Sequence, residues 1–288
     1  MMLKRLLLLL KPITVFSPPS HTNPQILQFL ENRRKVHHDA INFCQAILQK
    51  KSIEWKAVHR NNLSQPINDV DLVITLGGDG TLLQASHLMD DKIPVLGVNS
   101  DPTQIDEVEE FGSEFDAHRS TGHLCAATVE NFEQVLDGIL EGQIVPSELT
   151  RIVMSVNALH LPTFALNDIL ISHPCPASLS RFSFRSSGLR VSTATGSTAA
   201  MQSAGGFPMP ILSQDLQYMV REPISPGATS DHMHGLIKPD QTIVATWTCR
   251  KGVIYIDGSH INHTIKAGDI IEISSKAPVL KVLLPHQL

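Results

Sequence analysis

The residues with the clearest chemical potential lie at positions 77–81, which read Gly-Gly-Asp-Gly-Thr. Glycines permit positive φ angles and close approach of a ligand to the backbone, and the N–H groups of such a turn favour a phosphate. Asp79 would repel that phosphate unless a cation or a proton transfer is involved. The combination indicates phosphoryl transfer with Asp79 as general base, whereas the plainer alternative is that Asp79 only caps the following helix.

Three other groups of residues could bind a nucleotide. Small hydroxyl residues and glycines fill positions 192–206, where they leave room for a nucleotide and offer hydrogen bonds; the alternative is an ordinary Ser/Thr-rich loop. Asn167 and Asp168 place an amide beside a carboxylate at the start of a β-rich run, although such a pair alone is more often a turn. Asn99 follows the end of another strand, on the edge where the glycine turn is expected.

Alternating strands and helices position the glycine turn in the first half of the chain. Such alternation predicts a parallel sheet that binds ligands at the carboxyl ends of its strands. The predicted strands are Leu6–Leu10, Asp71–Leu76 and Ile93–Val98, and the predicted helices are Pro24–Lys51, Thr81–Met89 and Val129–Glu141. The inward face of the first helix is predicted to carry Val36, Ala40, Phe43, Cys44, Ile47 and Leu48.

The second half, from about Pro146, is rich in short β segments separated by turns. The predicted strands are Ile152–Val156, Phe164–Ser172, Arg181–Arg185, Leu189–Thr193, Thr242–Cys249, Val253–Ile256, Asp269–Ser274 and Val279–Leu284. We therefore predict an α/β phosphate-binding domain over 1–145 and an all-β, sandwich-like domain over 146–275. Residues 276–288 are expected to form a strand or tail that returns to the first domain.

Composition narrows the class of protein. The 288 residues carry a net charge of −5 with a pI near 6.3, which argues against a nucleic-acid surface. The four cysteines have no spacing typical of a zinc site and are expected to be reduced thiols, so no metal site is predicted. The apolar run Leu6–Leu10 is too short for a secretory signal, and nothing approaches the ~20 apolar residues of a membrane span.

The motifs, taken in order, resemble the NAD kinases. The resemblance rests on GGDGT after a strand, ALND at 165–168 and STATGSTAAMQSAGG at 192–206, and it covers about Asp71 to Leu284. Within the family, GVNSDPTQ, RSTGHLCAATVENF, MVREPISPG and YIDG are most similar to the plant NADH kinases. An NAD kinase-like fold is what this resemblance implies, with a parallel Rossmann-like sheet followed by a mainly β, dinucleotide-binding domain.

The resemblance also implies an activity and its residues. The activity is ATP-dependent phosphorylation of the 2′-hydroxyl on the adenosine ribose of NADH, and less well of NAD⁺, with Mg²⁺ accompanying ATP. Asp79 is then the base, Asn99 a weaker candidate on the nucleotide side, and Asn167 and Asp168 the dinucleotide-binding pair. The phosphate loop consists of Gly77, Gly78, Gly80 and Thr81, and the adenosine is lined by Thr195, Thr198, Ala199 and Ser203. The expected assembly is a homodimer. The expected location is the cytoplasm, with the peroxisome as the alternative.

Two departures from the family pattern bear on the substrate. Ala200 stands where many NAD kinases have Tyr, and Ser187 stands where they have Asp, within a short 184–188 link. Because only oxidised nicotinamide is positively charged, loss of a nearby carboxylate should weaken NAD⁺ more than NADH. The alternatives are a lipid kinase of the diacylglycerol or sphingosine type and a non-catalytic dinucleotide sensor.

Overall fold

The computed structural model describes residues 4–13, 23–111, 117–118, 122–175, 180–181, 185–186, 188–221 and 233–285. The chain divides into two compact units, one formed by Met1–Ser147 with Lys281–Leu288 and the other by Glu148–Leu280. No helix within the described ranges is both long and apolar enough to cross a membrane.

The helices and strands follow one another along the chain with short connections. In order they are β1 (Arg5–Leu10), α1 (Pro24–Lys50), β2 (Glu54–His59), β3 (Leu72–Gly77), α2 (Asp79–Ser86), β4 (Val95–Asn99), α3 (Ile105–Phe111), β5 (Ala127–Thr128), α4 (Phe132–Leu140), β6 (Ser147–Leu149), β7 (Val153–Val156), β8 (Leu159–His160), β9 (Asp168–Ser172), β10 (Ser180–Arg181), β11 (Arg185–Ser186), β12 (Gly188–Ser192), α5 (Ala200–Ser203), β13 (Leu216–Arg221), β14 (His234–Ile237), β15 (Ile243–Thr246), β16 (Gly252–Ile256), β17 (Ile261–Ile265), β18 (Ile270–Ser274) and β19 (Leu280–Leu283). Short 3-10 helices cover Arg60–Asn62 and Thr195–Thr198.

The first unit is organised around the predicted parallel sheet. Its strand order is β2-β1-β3-β4-β19-β6, with β5 beside β4, and β1 pairs in parallel with both β2 and β3. Every residue of β3 and β4 is buried, as expected for central strands of such a sheet. β19 pairs in parallel with β4, so a C-terminal strand completes this sheet.

Helix α1 covers the sheet with a face that differs slightly from the predicted one. Val36 and Phe43 are 37% and 40% exposed, so their predicted burial is wrong. His37 takes a place on the inward face because its ring forms hydrogen bonds to Ser100 and to the Lys11 carbonyl. The buried residues of this helix are His37, Ala40, Ile41, Cys44, Ile47 and Leu48.

The second unit is mainly β, as predicted. One sheet has the order β14-β13-β12-β9-β16-β17 and the other β15-β18-β7-β8. Side chains from both sheets share one hydrophobic cluster, which includes Met154, Ile171, Val191, Ile254 and Ile273. Two sheets that share one core are the arrangement expected of a sandwich.

Two segments of the second unit differ in detail from their sequence-based interpretations. The predicted strand Phe164–Ser172 begins only at Asp168, because the N–H groups of Leu166, Asn167 and Asp168 donate to the Asp257 carboxylate instead of to a neighbouring strand. The segment 192–206, for which an ordinary Ser/Thr-rich loop was the alternative interpretation, contains the 3-10 helix Thr195–Thr198 and α5.

Candidate functional site

The glycine turn joins β3 to α2 at the carboxyl end of the parallel strands. Gly78 precedes the helix with an extended backbone (φ −123°, ψ −169°), and Asp79 is the first helical residue. Although glycine permits positive φ angles, Gly77, Gly78 and Gly80 do not adopt them. Glycine is required at 77 because a Cβ there would lie 2.3 Å from Thr81 Oγ1, whereas a Cβ at Gly80 would meet nothing within 4 Å.

The Asp79 carboxylate is held by the backbone of one short segment. Its Oδ2 accepts the His123 N–H and its Oδ1 accepts the Leu124 N–H, both at 3.0 Å. The N-cap position of α2 is Gly78, and Asp79 is the first residue inside the helix. A carboxylate has about four acceptor positions, and these two bonds therefore orient the group without exhausting its capacity to accept a proton.

Cys125 adds a third donor to this arrangement. Its Sγ donates to Asp79 Oδ1 over 3.5 Å. Burial raises the pKa of the Cys125 thiol, and the Asp79 charge acts in the same direction, so the sulfur remains protonated at neutral pH. Gly97 allows the segment to come this close, because a Cβ there would lie 2.9 Å from the Leu124 carbonyl oxygen. The segment 122–125 thus positions Asp79 and was not recognised in the sequence.

Asn99 lies at the same edge of the sheet, as expected from its place after a strand. It is opposite Gly77 in the β3–β4 register and is 4% exposed. The next residue, Ser100, donates its N–H to the Gly77 carbonyl over 2.8 Å, and its hydroxyl lies 2.8 Å from His37 Nδ1. Burial lowers the pKa of His37, which favours a neutral ring that accepts from Ser100 and donates from Nε2 to the Lys11 carbonyl. A buried hydrogen-bonded chain therefore supports the turn.

Arg60 is a second residue near the turn that sequence reasoning missed. It begins the 3-10 helix after β2, and its Nη1 donates to Thr81 Oγ1 over 3.5 Å. The sequence offers no clear signal for it, because the half-exposed residues of the preceding strand β2 form no apolar pattern. The first unit therefore brings Asp79, the glycines, Thr81 and Asn99 to one edge, together with a cation.

In the second unit, Asp257 holds the backbone of the predicted dinucleotide pair. Its Oδ1 accepts the N–H groups of Asn167 and Asp168 at 2.8 and 2.9 Å, and its Oδ2 accepts the Leu166 N–H at 2.8 Å. Asp257 and Gly258 form a turn directly after β16. The Asp257 side chain supports the segment that carries Asn167 and Asp168.

The side chains of that pair have different surroundings. Asn167 Oδ1 is buried without a hydrogen-bond partner, which leaves an acceptor available for a ligand donor. Asp168 is buried and forms an ion pair with Arg190 on the neighbouring strand β12. Burial raises the pKa of the Asp168 carboxyl and Arg190 opposes this, while Asp257 acts in the same direction as burial.

The segment 192–206 packs directly on Asn167. A Cβ at Gly196 would lie 2.2 Å from the Asn167 carbonyl oxygen, so glycine permits this contact. Its hydroxyl residues fall into two groups. Those fully buried and bonded to backbone groups are Ser192, Thr193 and Ser197. Of the predicted adenosine-lining residues, Thr195 is half-buried, whereas Thr198, Ala199 and Ser203 are exposed. The predicted binding residues are thus those whose side chains the fold leaves more accessible.

Of the two positions that depart from the family pattern, Ser187 lies outside the described residues and Ala200 is exposed. Within the described part of the chain, no group of three or more His, Cys, Asp or Glu side chains could hold a metal ion.

Comparison with known sequences identifies the family. The sequence model of the ATP-NAD kinase N-terminal domain matches residues 14–101, which include the glycine turn. A probable NADH kinase from Oryza sativa subsp. japonica is 56% identical over 100% of this chain and 98% of its own length. An NADH kinase from Arabidopsis thaliana is 60% identical over 99% of this chain and 97% of its own length.

Solved structures show the same fold at low sequence identity. The yeast NADH kinase complexed with NADH has a TM-score of 0.70 and 16% identity, over 99% of this chain and 85% of that one. The NAD kinase from Archaeoglobus fulgidus in complex with ATP has a TM-score of 0.64 and 20% identity, over 98% and 94%. Together with the full-length plant relatives, these likenesses confirm the predicted fold class and resemblance: the chain belongs to the NAD kinase family.

Proposed function

We propose that the protein transfers a phosphate from ATP to the 2′-hydroxyl on the adenosine ribose of NADH, and less efficiently to that of NAD⁺. The products are NADPH and NADP⁺. Full-length similarity to proteins named NADH kinase supports this substrate class. The structural observation that carries the proposal is the Asp79 carboxylate, held by two backbone N–H groups directly after a glycine turn.

In the proposed step, Asp79 accepts the proton of the 2′-hydroxyl. The ribose oxygen forms a bond to the γ-phosphorus of ATP as the bond from that phosphorus to the β–γ bridging oxygen breaks, and ADP leaves. General-base assistance of this kind contributes ~10²–10⁴-fold in rate. Mg²⁺ enters as the ATP complex and offsets phosphate charge.

On the dinucleotide side, the unpartnered Asn167 Oδ1 supports binding of a hydroxyl or amino group of the substrate. Buried acceptors without partners are costly, so a ligand donor at this atom would stabilise the complex. We assign the adenosine to the surface formed by Thr198, Ala199 and Ser203, with Thr195 beside them.

Preference for NADH is the finer part of the proposal. It follows from Ser187 replacing the acidic residue of many relatives, which would otherwise favour the cationic ring of NAD⁺. The ratio of kcat/KM for NADH to that for NAD⁺ should exceed one, and Ser187→Asp should lower it. An unchanged ratio in the Ser187→Asp variant would remove this explanation.

The main experiment incubates purified protein with Mg-ATP and either NADH, NAD⁺ or diacylglycerol, and measures each phosphorylated product. NADPH formation supports the proposal, phosphatidic acid would identify a lipid kinase, and dinucleotide binding without turnover would identify a sensor. Asp79→Asn should lower kcat by at least about 100-fold with dinucleotide affinity preserved. The exposed Asp91 provides the control Asp91→Asn, and an active Asp79→Asn variant would exclude Asp79 as the base.

Assembly and location are also proposals. A homodimer is expected from the family resemblance, and analytical ultracentrifugation would reveal it as a doubled mass. Cytoplasmic residence, with the peroxisome as alternative, would be tested by microscopy of the tagged protein in plant cells.

A further inference from the structure

Arg60 directly follows β2, at the same carboxyl edge of the parallel sheet as the glycine turn. In the parallel register, Leu10 of β1 lies opposite His59 of β2 and opposite Leu76 of β3. The residues that follow these three are Lys11, Arg60 and Gly77, so two basic residues and the first glycine emerge together at the carboxyl edge. A Cβ at Gly77 would lie 3.1 Å from Lys11 Cβ, which shows how close the neighbouring strand end is.

Arg60 has no ion-pair partner among the residues that the structure describes. Its Nε is buried without a hydrogen-bond partner. Its contact to Thr81 Oγ1, at 3.5 Å, is at the limit of a hydrogen bond and therefore weak. Buried arginines are normally paired, because removing the charge from water is costly. Arg60 is half-buried and its Nε is buried without a partner, so the group is suited to an anionic ligand.

The phosphates of ATP are the anion that this edge of the sheet is expected to receive. A guanidinium presents several N–H donors in one plane and is suited to phosphate oxygens. It would also offset the repulsion between those phosphates and Asp79, whose negative charge lies in the same turn. We propose that Arg60 binds the triphosphate of ATP at the glycine turn, with Lys11 as an additional cation beside it. This inference rests on the proposed function.

The test removes the charge while keeping an unbranched apolar side chain in place of the aliphatic part of Arg60. Loss of a charge-assisted hydrogen bond lowers affinity about tenfold or more, so Arg60→Met should raise the KM for ATP by at least about tenfold. The KM for NADH should remain within twofold of wild type. Arg60→Lys keeps a charge but loses the planar donor group, and should give an intermediate KM for ATP. The exposed Arg250 provides the matched control, and Arg250→Met should leave both KM values unchanged.

Stability separates a ligand-binding role from a structural one. If Arg60 binds ATP, Arg60→Met should not lower the melting temperature without ligand, because an unpaired charge is removed. Mg-ATP should then raise the melting temperature of this variant less than that of wild type. A lower melting temperature without ligand, combined with an unchanged KM for ATP, would show that Arg60 only supports Thr81 and would overturn the inference.

Failure of this inference differs from failure of the proposed function. An active wild-type enzyme whose KM for ATP is unaffected by Arg60→Met contradicts the role of Arg60 alone. A wild-type protein that makes no NADPH from Mg-ATP and NADH contradicts the proposed function. Equal increases in the KM for ATP and for NADH would also contradict the inference, since they indicate a general disturbance.

Discussion

Asp257→Asn tests whether one carboxylate holds the predicted dinucleotide pair in place. The native carboxylate accepts three backbone N–H groups, from Leu166, Asn167 and Asp168. Asp257 has a φ of 50°, a conformation that Asn tolerates, so the substitution changes hydrogen bonding without adding backbone strain. If the amide oxygen keeps the two bonds on the Oδ1 side, the NH₂ group faces the Leu166 N–H and that donor loses its acceptor.

The magnitude follows from these contacts. Leu166 is fully buried, so water cannot replace the lost acceptor, and a buried donor without a partner costs about 1–3 kcal/mol. The two remaining bonds change from charge-assisted to neutral, which costs about 0.5–1 kcal/mol each. We expect the free energy of unfolding of the second unit to fall by about 2–5 kcal/mol. The KM for NADH should rise, because the backbone of Asn167 moves, whereas the KM for ATP should not.

The assay is urea unfolding followed by tryptophan fluorescence in a Trp55→Phe background, in which Trp247 reports on the second unit. The exposed Asp240 provides the control Asp240→Asn, for which no change is expected. A loss below about 0.5 kcal/mol together with an unchanged KM for NADH would refute the supporting role of Asp257.

Three further predictions concern packing, pH and reactivity. Gly196→Ala should destabilise the second unit by about 1–3 kcal/mol, because the new Cβ would lie 2.2 Å from the Asn167 backbone. Gly80→Ala, whose Cβ would meet nothing within 4 Å, should leave stability nearly unchanged. The melting temperatures of the two variants and of wild type test this difference. Burial lowers the pKa of His37 in the folded protein from its ordinary value of 6.5. As the pH falls below about 6.5, His37 is therefore protonated in the unfolded chain before it is protonated in the folded one. The free energy of unfolding should decrease until the pH reaches the lowered pKa of the folded state. Urea unfolding at pH 7.5 and 5.5 should show this loss in wild type and a smaller one in His37→Gln. Iodoacetamide should alkylate the exposed Cys175 of the native protein but not the buried Cys125, whose thiol has a raised pKa. Mass spectrometry of the digested protein would show which cysteine is alkylated, and modification of Cys125 in the native protein would contradict the prediction.

The sequence predicts well those features that depend on local patterns. An apolar strand followed by glycines and a helix former is such a pattern, and β3, the turn and α2 follow it. The helix begins at Asp79 instead of Thr81 because an extended Gly78 leads directly into it. β2 was missed because its residues are half-exposed and include Glu54, Trp55 and Lys56, which give no clear apolar pattern.

The missed parts of the site depend on contacts between distant positions. Asp257 bonds to residues about 90 positions earlier, and Asp79 bonds to residues 44 and 45 positions later. Neither contact leaves a local pattern, because the acceptor is a side chain and the donors are backbone N–H groups of any residue type. The hydroxyl residues at 192–206 could not be sorted from the sequence for a similar reason. Composition alone does not distinguish the buried Ser197 from the exposed Thr198.

The pairing of β19 with β4 has a consequence for the order of folding during synthesis. The strand that completes the sheet of the first unit leaves the ribosome only after all of the second unit, Glu148–Leu280, has been made. Domains fold as their residues become available. The second unit can therefore reach its native state first, although it begins later in the chain. The sheet that carries the glycine turn is therefore completed only after the residues of the second unit have been synthesised.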